Sequence, residues 1–191
     1  MFVARKARNE TAPGTSHVYA RGVERRSIFG DDDDRRLYLA LLRGVIDKFR
    51  WRCLAYCLMP NHVHLLIETQ EPNLGRGMHL LHGTYAQAFN TRWHRVGHLF
   101  QGRFGSRPVH DEVQLAVVLA YIGVNPVAAR LCADPAEWPW SSHRALITDA
   151  PDGVVDIGRL AQHLAPFGEL GESYRMFVEG RLLNRGLDVS A

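Results

Sequence analysis

Residues 51–69 read WRCLAYCLMPNHVHLLIET. Pro60-Asn61 is a turn pair. Before it, Trp51 to Met59 is apolar on both alternating faces, as a central strand covered on both sides would be. After it, His62 to Thr69 reads as a second strand, so the two predict a hairpin. Side chains alternate along a strand, which puts His62 and His64 on one face and Val63, Leu65 and Ile67 on the other. Two unpaired imidazoles on one face of an apolar strand are costly to bury, and at this spacing both can reach one metal ion. A purely structural histidine pair is the alternative.

Outward from the hairpin, the elements fall into a recognisable order. Upstream, Leu37, Leu41, Val45 and Phe49 recur at helical spacing and predict a helix over about 33–49. The acidic run Asp31 to Asp34 precedes it. Such a run could hold a metal, but at a helix start the capping and dipole reading is preferred. His17 to Val23 (HVYARGV) predicts a short strand. Residues 1–14, polar and basic and ending in Pro13-Gly14, read as a flexible arm. Downstream, Pro72-Asn73 opens a helix over about 74–95, and residues 103–109 form an edge strand. Asp111 caps a helix that Pro126 should end at Asn125, because the residue before a proline is pushed out of the helical region. The order β-α-β-β-α-β-α is that of an α+β, ferredoxin-like split βαβ core, an antiparallel sheet with helices on one face, plus one further helix. Residues 131–150 look irregular and 155–183 helical. The expected division is an arm at 1–14, a domain at 15–130 and an extension at 131–191 packed on or near the core.

Composition narrows the function. The chain has 191 residues, 46% hydrophobic and 23% charged, the mix of an ordinary globular domain. No apolar run approaches a membrane span, the N-terminus has no secretory h-region, and three cysteines make no disulfide framework or zinc ribbon. A cytoplasmic protein with buried thiols is expected. Residues 1–110 hold 17 Lys+Arg against 9 Asp+Glu, whereas residues 111–191 hold 6 against 11. The first part therefore carries a field suited to a polyanion. Only Lys6 and Lys48 are lysine; arginine is the better bidentate phosphate binder, although a GC-rich genome would also enrich it.

Two further groupings carry chemistry. Tyr121 and Asn125 are four apart, one turn apart on one helix face. A phenol and an amide there could be a nucleophile and a third metal ligand, or a core tyrosine and a helix-end residue. Thr91 to Pro108 contains Arg92, Arg95, Arg103 and Arg107 and no acid, with Trp93, Phe100 and Phe104 interleaved. Arginines neutralise phosphates and aromatic rings stack on unpaired bases. An ordinary solvated face with core aromatics is the other reading.

MPNHVHLLI, then AYIGVNPVAARL, then WPWSSHRALI, with RGVERRSIF and HLFQGRFGS in their places, resemble the single-tyrosine HUH transposase family, in its REP-associated tyrosine transposase branch. HUH denotes His-hydrophobe-His, here His62-Val63-His64. The resemblance spans roughly residues 15–180. It implies a ferredoxin-like fold and cutting of single-stranded DNA at or near hairpins. Tyr121 would be the nucleophile, forming a 5′-phosphotyrosine and freeing a 3′-hydroxyl. His62 and His64 would bind a divalent ion, with Asn125 as third ligand. Mg²⁺ or Mn²⁺ is expected, and ligand type alone also admits zinc. The expected DNA contacts are Arg21, Arg25, Arg26, Arg92, Arg95, Arg103, Phe104 and Arg107. The partner would be single-stranded or hairpin DNA, with no membrane, and the protein a monomer or homodimer. Gly123 departs from expectation inside this helix, at about 1 kcal/mol relative to alanine. Two rival readings are a cupin-like metalloenzyme built on His62, His64 and Glu68, disfavoured by at least three helices around the motif, and a transposase-derived hairpin-binding protein that does not cut.

Overall fold

The structure, a computed structural model, describes residues 12–148 and 151–184. Most of the expected arm, residues 1–11, lies outside them. The elements are β1 (Gly14–Arg21), α1 (Asp32–Phe49), β2 (Arg52–Met59), β3 (His62–Thr69), α2 (Leu74–Arg92), β4 (Gly105–Val109), α3 (Glu112–Ala128), α4 (His143–Thr148), α5 (Ile157–Leu164) and α6 (Leu170–Asn184). The sheet order is β2-β3-β1-β4 with every neighbour antiparallel. This is the interleaving of β1-α1-β2 with β3-α2-β4 that the split βαβ pattern requires, with β1 and β3 at the centre.

Register assigns the two faces. Tyr19 pairs with His64, Arg21 with His62 and Cys57 with His64, so these side chains share a face. Val18, Val63 and Leu65 point the other way and are fully buried. The helices α1 and α2 form the layer over that second face, packed on each other with Tyr38 Oη and His82 Nε2 3.1 Å apart. The acidic run acts as a cap: the Asp31 carboxylate accepts from the backbone N–H groups of Asp33 and Asp34. Asp34 is buried and accepts from Gly30 N (2.7 Å), Arg92 (2.6 Å) and Trp93 Nε1 (2.8 Å). It ties the start of α1 to the end of α2.

The histidine face is covered by α3 and by the extension. Here the structure departs from three expectations. The helix of Tyr121 does not stop at Asn125 but runs through Pro126 to Ala128. A proline in the last turn forfeits only its own N–H bond, and Ala129 N still reaches Asn125 O at 3.0 Å. The segment 131–150 contains the short helix α4. Its neighbours 140–142 extend the sheet, with Leu58 N donating to Trp140 O (2.8 Å) and Ser142 N to Tyr56 O (3.0 Å). Those bonds pair the outer edge of β2, which would otherwise be open. The expected C-terminal helix is two helices, broken where Gly168 takes φ +123°. Glu68, the last face-sharing residue of β3, anchors α5 through Arg159 (2.9 Å) and His163 (2.7 Å).

Candidate functional site

A cleft of about 800 Å³ opens over β1, β3, β4 and α3. Its floor is the period-two set His17, Tyr19 and Arg21 of β1 beside His62 and His64 of β3. Gly105 of β4 lies opposite Tyr19, and a Cβ there would fall 2.3 Å from the tyrosine ring. Glycine at that position leaves room for the ring. One wall is α3, with Val113, Val117 and Tyr121 at successive helical turns. Arg21, Arg107 and Arg181 line the cleft, and none of the described residues lining it is acidic.

The histidines sit in a defined network. His62 and His64 have ring centroids 4.9 Å apart and nearly perpendicular planes. Tyr121 packs edge-on against His64 at 5.2 Å, and its helix brings Asn125 against the His62 ring as a hydrogen-bond partner. The Asn125 Nδ2 also reaches the Tyr121 carbonyl at 3.4 Å. Two pairs, each local in sequence, thus meet at one place.

Hydrogen bonds fix which ring nitrogens are free. Asn61 donates through Nδ2 to the Arg25 carbonyl (2.9 Å), so its Oδ1 is the acceptor facing His62 Nδ1 at 2.7 Å. His62 then carries its proton on Nδ1, and its Nε2 is the nitrogen turned toward Asn125. His64 Nδ1 lies 2.9 Å from His17 Nε2, while His64 Nε2 is buried with no partner. A buried imidazole nitrogen without a partner is costly, and metal-binding histidines characteristically hold their second nitrogen in just such an outer hydrogen bond. The donor set of two imidazole nitrogens and one amide therefore fits a divalent cation. No cluster of three or more His, Cys, Asp or Glu with metal-holding geometry exists among the described residues; the Asn125 amide is the candidate third donor beside the two imidazoles.

Electrostatics keep these rings neutral. Burial, then His17, His62 and Arg21, push the His64 pKa down to about 2. Burial, then Arg107, lowers His17 to about 4. Burial and Arg21 lower His62, opposed by its bond to Asn125. Neutral imidazoles are the ligand form.

The expected DNA contacts divide. Arg21 and Arg107 line the cleft and Arg103 lines an adjoining recess with Tyr19 and Gln101. Arg25 and Arg26 are exposed on the turn after β1, where Glu24 and Arg25 both hold positive φ, and Arg26 pairs with Glu24 at 2.6 Å. Arg95 is half-buried, its guanidinium over Phe89. Arg92 and Phe104 differ from expectation. Arg92 is spent on Asp31 and Asp34, acids some 60 positions earlier in the chain. Phe104 is buried in the core, as is Phe100, so neither offers a free stacking face. Three site residues escaped the sequence reading: His17, Asn61 and Arg181. His17 had a signal, since His17, Tyr19 and Arg21 alternate onto one strand face. Asn61 adjoins His62 but read only as a turn former, and nothing local marks Arg181.

The family described as "Transposase IS200 like" matches residues 14–125. A curated relative from Haemophilus influenzae, named "Putative REP-associated tyrosine transposase", is 27% identical over 110 residues, 51% of this chain and 62% of the relative. The match thus spans less than two thirds of that relative's length. Among solved structures, a REP-associated tyrosine transposase bound to a REP hairpin superposes with a TM-score of 0.64 at 17% identity, covering 81% of this chain and 90% of the other. The superposed share is larger than the family segment. With more than half of its length matched, this chain belongs to the IS200-like transposase family.

Proposed function

We propose that this protein is a metal-dependent single-stranded DNA endonuclease and strand transferase that acts at or near hairpins through a 5′-phosphotyrosine at Tyr121. The observation that carries the reading is the cleft itself: a tyrosine against two neutral histidines, three arginines around them, and no acid among the described residues of the lining. An acid-free arginine cleft attracts a phosphodiester and repels nothing in it. The solved structural neighbour was bound to a REP hairpin, which favours a hairpin over other polyanions.

His62, His64 and Asn125 would hold a divalent ion, Mg²⁺ or Mn²⁺. When bound, the ion neutralises charge on the non-bridging oxygens of the scissile phosphate. Asn61 and His17 hold the two imidazoles through their Nδ1 atoms, which leaves the Nε2 atoms for the ion. Arg21 and Arg107 hold the flanking phosphates. Tyr121 forms the bond from its phenolic oxygen to phosphorus. The bond from phosphorus to the 3′-oxygen breaks, the phenolic proton passes to solvent, and the departing 3′-oxygen takes a proton from solvent, so the strand leaves with a 3′-hydroxyl. The phosphotyrosine conserves the bond energy, so rejoining needs no nucleotide cofactor.

The test is incubation with labelled single-stranded hairpins copied from the DNA flanking the gene, with Mn²⁺, followed by denaturing electrophoresis. A protein–DNA adduct is expected from the wild type. Tyr121→Phe should bind the hairpin and form none, and His64→Ala should form none and lose Mn²⁺ binding. Hairpin binding without any adduct would leave a DNA-binding protein and refute the nuclease. Wild-type cleavage by the Phe variant would assign the nucleophile to water or to Tyr19, the other tyrosine lining the cleft.

A further inference from the structure

We infer that Arg181, on the C-terminal helix α6, is a phosphate-binding residue of this cleft, so the extension helps to build the site. The inference rests on the proposed phosphodiester chemistry at Tyr121. The Arg181 guanidinium carbon lies 5.4 Å from the Tyr121 ring centroid. The side chain lines the cleft, and its Nε is buried without a hydrogen-bond partner. Arginines with structural roles here are matched to carboxylates: Arg92 to Asp31 and Asp34, Arg159 to Glu68, Arg52 to Asp156. Arg181 has no ion pair among the described residues and faces a lining with no acid.

The sequence of α6 and one glycine explain how it gets there. Tyr174, Val178 and Arg181 lie on one face of α6, at spacings of four and three. The first two rest against Gly123 of α3: a Cβ built there would fall 2.4 Å from Tyr174 Oη and 3.3 Å from a Val178 methyl. Tyr174 is buried and pinned by His143 Nδ1 at 2.9 Å. A missing side chain at position 123 thus seats α6, and the seating carries Arg181 across Tyr121, two residues earlier on α3. The ring shields one side of the guanidinium from water, which strengthens its pull on an anion. A planar guanidinium with its donors unused suits the non-bridging oxygens of a phosphodiester, in the ground state and as charge builds during attack.

The experiment uses the full chain with Arg181→Gln, Arg181→Lys and Arg181→Ala, and a fluorescent single-stranded DNA hairpin with a single-stranded 5′ tail. First, hairpin affinity is measured against salt without metal. Loss of one phosphate contact should flatten the log–log slope by about 0.7 in the Gln and Ala variants, but not in Lys. Second, the adduct rate is measured at saturating DNA and Mn²⁺. It should fall by about 10²–10³-fold in Gln and Ala, with Lys intermediate. Added guanidinium ion should restore part of the Ala rate, while equal sodium chloride should not. Melting temperature and Mn²⁺ affinity should match the wild type. An unchanged salt slope with an adduct rate within threefold of wild type overturns the inference. So does a rate loss that guanidinium leaves unrepaired and that tracks a fall in melting temperature. If the wild type itself forms no adduct, the nuclease reading fails, and the salt slope still decides whether Arg181 touches phosphate.

Discussion

Gly123→Ala is the substitution on which helix propensity and tertiary packing give opposite answers. Propensity alone predicts a gain of about 1 kcal/mol from alanine in a helix interior. The structure predicts a loss. The new Cβ would meet Tyr174 Oη at 2.4 Å, well inside contact distance, in a place where Tyr174 is 1% exposed and cannot swing into solvent. Overpacking of this kind costs about 1–3 kcal/mol. Moving the phenol also breaks its bond to His143, which leaves two buried polar groups and costs about 1–3 kcal/mol more if nothing replaces it. Against the propensity gain, the net is destabilisation of about 1–5 kcal/mol, or a melting temperature lower by roughly 2–20 °C for a domain of this size. Thermal unfolding by circular dichroism measures it. The mechanism is isolated by Tyr174→Phe, which removes the clashing oxygen. Alone it should cost about 1 kcal/mol for the lost bond, but in the Gly123→Ala background it should cost nothing or stabilise, a coupling of about 1 kcal/mol or more. A Gly123→Ala protein that melts at or above the wild type, or two strictly additive substitutions, would refute the packing argument and weaken the account of how α6 is seated.

Hairpin affinity should fall linearly with salt on a log–log plot, and Arg21→Ala and Arg107→Ala should each flatten the slope by about 0.7; equal affinity for blunt duplex in fluorescence anisotropy would contradict a cleft built for unpaired strands. Asp34→Asn should cost about 1–3 kcal/mol in denaturant unfolding, because the Arg92, Trp93 and Gly30 donors lose their shared carboxylate; an unchanged midpoint would mean the cluster is ornamental. Acid should destabilise the fold through His82, whose pKa burial depresses from 6.5 to about 4. The folded state keeps it neutral and the unfolded state protonates it, so stability is complete above about pH 6.5 and declines toward pH 4, by on the order of 3 kcal/mol. Melting curves from pH 7.5 to 4.5 should show that decline on top of those from His17 and His64, and His82→Gln should make it shallower; an identical slope in the variant would assign the acid sensitivity elsewhere.

The sequence by itself determined the order of the core elements and the two local pairs of the site. Alternation in residues 62–69 put His62 and His64 on one face, and helical spacing put Tyr121 and Asn125 on another, because each relation is set within a single element by backbone geometry. The order of elements then limited the sheet to one topology, and the observed β2-β3-β1-β4 arrangement follows it. Only tertiary structure decided whether the two pairs would meet, since that depends on which face of α3 turns down onto the sheet. It also decided partners distant in the chain: His17 reaches His64 across 47 positions, and Arg181 reaches Tyr121 from the far end of the extension. The same distance explains the misread residues. Arg92 looked free because the acids that neutralise it are near residue 31, and Phe104 looked like an open ring because burial is a property of what packs around it. Even the odd glycine at 123 made no sense along its own helix. Its reason lies in the side chains of α6, some 50 residues later, that need the space its missing Cβ leaves.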